Sequence, residues 1–91
     1  MSVRVKIFYP ELRRLIDSPD EVRAQGVTVG ECLDDLATRY PGAGELLFDE
    51  RGGLRPPVYV FVNIEGMYKA DLARTVGEQD ELILAVLATG G

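Results

Sequence analysis

The sequence predicts an α+β domain in two layers, a mixed sheet of about five strands with one main helix packed across one face. Three observations predict it. Apolar residues alternate with period two in separate runs near the start, around residue 60 and at the end of the chain. Between the first two runs, a threonine followed three positions later by a glutamate opens a stretch whose apolar residues recur every three or four positions. The chain has 91 residues, enough for one modest core but too few for a second lobe facing the first across a cleft. A helix with one apolar stripe must bury it against something, and a sheet with one apolar face is the partner available.

The elements follow in order. "VRVKIFY" sets Val3, Val5 and Ile7 against Arg4 and Lys6, so it is a strand with one buried face. "PELRRLIDSPD" opens with Pro10 and closes with Ser18-Pro19-Asp20, leaving room for one short helical turn or a packed loop. "EVRAQGV" is a weaker strand near a sheet edge. Thr28 and Glu31 form a capping box, and a helix starts at about Val29. Its stripe is Val29, Cys32, Leu33, Leu36, Ala37 and Tyr40; Glu31, Asp34, Asp35, Thr38 and Arg39 take the other side, and Pro41-Gly42 ends it. "GAGELLFDERGGLRPP" is a connection with at most one helical turn. "VYVFVNI" alternates again and is the best candidate for a central strand. "MYKA" makes a short strand, and "ELILAVLA" the last one. The first and last strands are both richly apolar, so they belong side by side and parallel at the centre. That order of elements is the topology of the ubiquitin-like β-grasp.

Composition removes several classes of function. Ten Lys+Arg against fifteen Asp+Glu give a formal charge of −5, so the basic footprint of a nucleic-acid binder is missing. The acidic balance suits solubility and is compatible with a basic partner surface. No apolar run approaches the ~20 residues that span a bilayer, and "MSVRVKIFYP" lacks the layout of a secretion signal. No membrane and no nucleic acid are expected, and the cytoplasm is the expected compartment. There is one cysteine and no histidine, which leaves neither a disulfide nor a zinc spacing; no metal site is expected.

Side chains that carry chemistry elsewhere have plainer readings here. Asp34-Asp35, Asp49-Glu50 and Asp80-Glu81 are sequence neighbours on a helix surface or in turns, whereas acid–base pairs need carboxylates held across a cleft. Cys32 lies on the apolar stripe, where it acts as a small hydrophobe with little thiolate character. Gly52-Gly53 and Gly42-Ala43-Gly44 lack the strand and helix that flank a phosphate cradle, so they are turns. No catalytic residue is expected.

Gly90-Gly91 at the end of "LILAVLATGG" is different. Residues 1–88 form the folded domain and residues 89–91 a flexible tail of Thr89, Gly90 and Gly91. A Gly-Gly end has no Cβ, samples most of φ/ψ space and can enter a narrow tunnel extended, offering an unhindered carboxylate to a partner enzyme. If Leu82, Leu84 and Val86 face the helix, then Ile83, Ala85 and Leu87 face outward with Tyr59 and Phe61. That is a large apolar patch, which either docks partners or lies under Leu46, Leu47, Phe48 or Met67.

Taken together, these residues resemble the ThiS/MoaD family of bacterial and archaeal sulfur-carrier proteins. The resemblance runs through Tyr9-Pro10-Glu11-Leu12-Arg13, Thr28-Val29-Gly30-Glu31 with Leu33, Leu36, Tyr40 and Pro41, Val60-Phe61-Val62-Asn63 and the Gly-Gly end. It implies a carrier that is not itself an enzyme and binds no cofactor stably. In the family's chemistry an adenylyltransferase of the ubiquitin-activating type uses ATP and Mg to activate the terminal carboxylate, here that of Gly91. Sulfur from a sulfurtransferase, a cysteine desulfurase or sulfide converts it to a thiocarboxylate. A sulfur-accepting synthase then uses it to make thiazole for thiamin, molybdopterin, cysteine or a thiolated nucleoside. The length and the "DERGGLRPPVYVFVN" segment look more like the cysteine-synthesis carriers, and Gln79-Asp80 stands where the family usually has Gly-Asp. Two other readings stay open: a modifier joined through Gly91 to lysines of other proteins, and an interaction domain whose last glycines are incidental.

Overall fold

A computed structural model describes residues 2–16, 22–63 and 71–86. The elements are β1 (Ser2–Phe8), α1 (Pro10–Leu15), β2 (Val22–Gln25), α2 (Val29–Arg39), α3 (Ala43–Leu47), β3 (Val58–Val62) and β4 (Glu81–Val86). The sheet has the order β2-β1-β4-β3, with β1 and β4 parallel and the two outer pairs antiparallel. The expected central pair of first and last strands is therefore present, and the helices lie on one face of a mixed sheet as the β-grasp requires.

Among the described residues the sheet has four strands, not about five, and β3 stands at its end rather than at its centre. β1 and β4 take the middle, each paired on both sides, and β4 is buried on both faces through Leu82, Ile83 and Leu84. The expected strand "MYKA" lies outside the described residues.

The helices fill that same core. Leu12 of α1, Val29, Cys32, Leu33 and Leu36 of α2, and Ala43 and Leu47 of α3 are buried in one cluster with the inner residues of all four strands. Of the described residues, six leucines, including Leu33, Leu36 and Leu84, are fully enclosed, each a truncation to alanine away from a loss of about 2–5 kcal/mol. Leu46 and Phe48 pack against this cluster and Leu47 is part of it, so these three belong to the helix side of the sheet. Met67 lies outside the described residues.

The capping box forms with one difference. Thr28 Oγ1 accepts from the Glu31 N–H at 3.2 Å, but the Glu31 carboxylate reaches past Thr28 to the Val27 N–H at 2.9 Å. The next two orphan donors of the helix, Val29 N–H and Gly30 N–H, donate to the carbonyls of Arg74 and Leu72, both at 2.9 Å. A glycine suits this close approach, since a Cβ on residue 30 would sit 3.1 Å from the Leu72 carbonyl oxygen, a tighter contact than most side chains make. Residues 71–76 are thereby tied across the start of α2.

Candidate functional site

The four strands present their second faces in three rows fixed by register. Nearest the end of β4 stand Phe8, Ala85 and Tyr59; next come Lys6, Ile83 and Phe61; then Arg23, Arg4 and Glu81. The alternation that buries Val3, Val5 and Ile7 forces Arg4, Lys6 and Phe8 outward. Four of the five residues expected in a docking patch, Tyr59, Phe61, Ile83 and Ala85, are thus gathered on one face. Leu87, the fifth, lies outside the described residues, as do Thr89, Gly90 and Gly91.

Exposure within the patch is uneven. Ile83 is outward-facing yet only 7% exposed, and Tyr59, Phe61 and Ala85 are half-buried. Phe8 is 60% exposed, the most exposed large apolar side chain among the described residues. It was not among the expected patch residues, although extending the Arg4/Lys6 alternation by one step would have found it. The patch borders the point where the chain leaves β4, because Ala85 immediately precedes Val86 and β1 runs parallel to β4.

The start of β4 is held by a hydrogen-bonded clasp that the sequence did not disclose. Asn63 adopts a left-handed backbone with φ 62°, and its N–H donates to the Glu81 carbonyl at 2.8 Å. Its Oδ1 accepts from the Glu81 N–H at 3.0 Å, and its Nδ2 donates to Asp80 Oδ1 at 2.9 Å. Asp80 Oδ2 accepts from the Gly77 N–H at 2.8 Å. These bonds to Asn63 and Gly77, helped by the charge of Arg74 and opposed by partial burial, hold the Asp80 carboxyl below the usual carboxylate range. Asp80 is therefore not the freely solvated acid that its place in a turn suggests. It sets the geometry of the turn at Gln79-Asp80.

Asp35 also has work beyond solvation. Its Oδ2 accepts from the Gln25 N–H at 3.0 Å and pairs with Arg39 at 2.9 Å, while the Arg39 guanidinium donates to the Arg23 carbonyl. The outward backbone groups of β2 are covered by an ion pair on α2, which blunts that sheet edge. Asp49 accepts from the N–H groups of Arg51 and Gly53 and so closes its own turn.

Cys32 is fully enclosed. Burial first, then the charges of Asp35 and Glu31, push its thiol above the ordinary thiol value, so it stays protonated and inert. Tyr9, at the end of β1, donates its hydroxyl to the Leu46 carbonyl at 3.2 Å and ties the strand to α3. Among the described residues no polar or charged side chain is fully buried, and no group of three His, Cys, Asp or Glu side chains lies where it could hold a metal ion. Among them, too, no helix is long and apolar enough to cross a membrane.

No protein-family model and no curated protein matches the sequence, but solved structures match it over nearly its whole length. SAMP1 from Haloferax volcanii is 29% identical with a TM-score of 0.80, covering 100% of both chains; its name expands to small archaeal modifier protein 1. A chain of the BexX/CysO complex from Amycolatopsis orientalis is 28% identical with a TM-score of 0.75, covering 96% of this chain and 99% of that one. CysO from Mycobacterium tuberculosis is 28% identical with a TM-score of 0.74, covering 92% and 99%. These matches, the parallel β1–β4 centre and the single layer of helices show a ubiquitin-like β-grasp fold and make the chain similar to ubiquitin-like carriers of the ThiS/MoaD type.

Proposed function

We propose that the chain is a sulfur carrier whose working group is the carboxylate of Gly91. The supporting observation is the match, over both full lengths, to a small archaeal modifier protein, joined to a sequence that ends in Gly90-Gly91 just beyond an apolar sheet face. A carboxylate is a poor electrophile, so an adenylyltransferase of the ubiquitin-activating type uses ATP and Mg to make the acyl-adenylate, releasing pyrophosphate. Sulfide displaces AMP to leave a thiocarboxylate. When a sulfurtransferase or cysteine desulfurase supplies a persulfide instead, the acyl disulfide formed is cleaved by a second thiol, which leaves as part of a disulfide. A synthase takes the sulfur for cysteine, molybdopterin, thiamin or a thiolated nucleoside. The match to a chain of a complex that includes CysO favours the first of these.

In this scheme Gly90 and Thr89 give clearance for entry into the partner's tunnel, and Tyr59, Phe61, Ile83, Ala85 and Leu87 seat the partners. The folded domain of residues 1–88 performs no chemistry and acts as a handle, in the cytoplasm. Incubating the chain with its activating enzyme, ATP and sulfide tests this. Intact mass should rise by the difference between sulfur and oxygen, and an unchanged mass under conditions that turn over ATP would count against the proposal.

A second reading has an observation of its own. SAMP1 is by name a modifier protein, and an activated Gly91 can equally acylate a lysine. Gly-Gly remnants on lysines in a tryptic digest of cells that express the chain would favour the modifier, and their absence the carrier.

A further inference from the structure

Lysine is scarce in this chain, and one lysine stands near the point where the tail begins. Of the ten basic residues eight are arginine, and the two lysines are Lys6 and Lys69. Lys69 lies outside the described residues. Lys6 is exposed on β1, opposite Ile83 of β4, and among the described residues no salt bridge engages it. The difference between the two basic side chains is chemical. A guanidinium stays protonated and does not attack acyl groups, whereas a lysine amine does so in its neutral form. Among the described residues, Lys6 therefore carries the one side-chain amine that an activated carboxylate can meet. Register fixes how far away it is. β1 and β4 run parallel, with Lys6 beside Ile83 and Phe8 beside Ala85, so Lys6 stands three residues back from Val86 and one strand across. At about 3.3 Å per residue and about 4.8 Å between strands, the two Cα atoms are about 11 Å apart. Five residues follow Val86 and span at most about 17 Å, so Gly91 can turn back to the amine at the end of its long stem. An amine ahead of Ser2 would lie at the opposite end of β1, about 20 Å from Phe8 and beyond that reach.

We propose that Lys6 is a modification site, acylated by the chain's own activated Gly91. The inference rests on the carrier reading above and adds a second fate for the acyl-adenylate. The neutral amine of Lys6 attacks the Gly91 carbonyl carbon and a C–N bond forms. The C–O bond to AMP breaks, AMP leaves, and the amine proton passes to water. The product is a ring closed by an isopeptide bond, and no oxidant or reductant takes part. The tail of a second copy is the poorer donor, because a short tether gives an effective concentration in the millimolar range against micromolar chain in solution. Closing the ring would lay residues 87–91 over the row of Phe8, Ala85 and Tyr59. It thus removes the carboxylate and covers the face beside it in one step. Sulfide and Lys6 compete for the same acyl group, and a partner that encloses the tail protects it from the amine.

The test uses the full chain in two forms. In the first, the chain is incubated with its activating enzyme and ATP but no sulfur donor. A product lighter than the chain by one water should appear, and its tryptic digest should contain a branched peptide that joins Lys6 to Gly91. The second form carries Gly91 as the thioester of a small thiol and meets no enzyme, so its closure, with loss of that thiol, reports on Lys6 alone. Lys6→Arg, which keeps the charge, should reduce the ring about tenfold or more in both forms, and the ringed fraction should not change on about tenfold dilution. Lys69→Arg should leave the ring unchanged. Circular dichroism confirms that each variant is folded. If the wild-type thioester only hydrolyses to the linear acid, or the branched peptide carries Lys69, the inference fails, and sulfur loading of the same chain leaves the carrier reading standing. A ring from the thioester with no adenylation by the enzyme would sink the carrier reading and keep Lys6 as the acceptor. Joined dimers in place of the ring, at a yield that rises with concentration, would overturn the inference in favour of a second copy.

Discussion

Removing the Asp80 carboxylate should loosen the turn that delivers β4, and the cost follows from the clasp. Asp80→Ala deletes two hydrogen bonds to an ionised acceptor, from Asn63 Nδ2 at 2.9 Å and from the Gly77 N–H at 2.8 Å. Both are partly exposed, so water recovers part of each, and a net of about 1 kcal/mol per bond gives a loss of about 2 kcal/mol. For a domain of this size that lowers Tm by roughly 8–16 °C. Urea unfolding followed by far-UV circular dichroism measures the loss. The same variant carries a pH signature. The native Asp80 carboxyl is held below the usual range, so its contribution is fully present above the unfolded value of about 3.9 and disappears as pH falls through the depressed native value. The gap between wild type and variant should be constant at neutral pH and close in acid. A loss below about 0.5 kcal/mol, which is the range of an ordinary surface substitution, would refute the reasoning. So would a loss of the same size in an Asn63→Ala background, since partners in contact must couple.

Three further outcomes follow. Gly26→Ala should destabilise by about 1–3 kcal/mol, because its Cβ would meet Glu31 Cβ at 2.7 Å and the Cys32 nitrogen at 2.8 Å, and denaturant titration reads it. Cys32 should react with iodoacetamide only through opening of the fold, so that its rate in the native protein falls as stability rises across a variant series and increases sharply in denaturant. Asp35→Ala should accelerate hydrogen exchange at the Gln25 amide about fivefold, the equivalent of one exposed hydrogen bond, and an unchanged rate would remove Asp35 as the cover of the β2 edge.

What could be read in advance was local. Alternation of Val3, Val5 and Ile7 with Arg4 and Lys6 is a property of the strand itself, and Thr28 with Glu31 marks a helix start within four residues, so β1 and α2 were legible with their buried faces. The parallel pairing of β1 with β4 followed from two strands competing for the middle of one sheet. The rest depends on partners far apart in sequence. Asn63 and Asp80 are separated by 17 positions, and nothing in "FVNIEG" or "GEQDEL" announces that they meet. The position of β3 at the end of the described sheet, the tie of Leu72 and Arg74 to the start of α2 and the engagement of Asp35 with Gln25 are tertiary in the same sense. The face itself was half legible. Tyr59, Phe61, Ile83 and Ala85 could be assembled from two alternating strands, whereas the basic rim needed the register of β2 on β1 to bring Arg23 beside Arg4.

The resemblance to the carriers ran through residues that prove to be structural. Tyr9 ties β1 to α3, Gly30 admits the Leu72 carbonyl, and Asn63 clasps β4. They explain why the chain adopts this fold, and they leave the proposed chemistry to the outer face and to Gly91.

The claim that Gly91 is the loaded group is tested most directly by one comparison. The wild-type chain and a chain with a single alanine appended after Gly91 are incubated with the activating enzyme, ATP and sulfide, and the C-terminal peptide of each is sequenced by mass spectrometry. The account predicts sulfur in place of one oxygen on Gly91 of the wild type and none on the extended chain, with identical circular dichroism. Sulfur on Cys32, or equal loading of the extended chain, would contradict it.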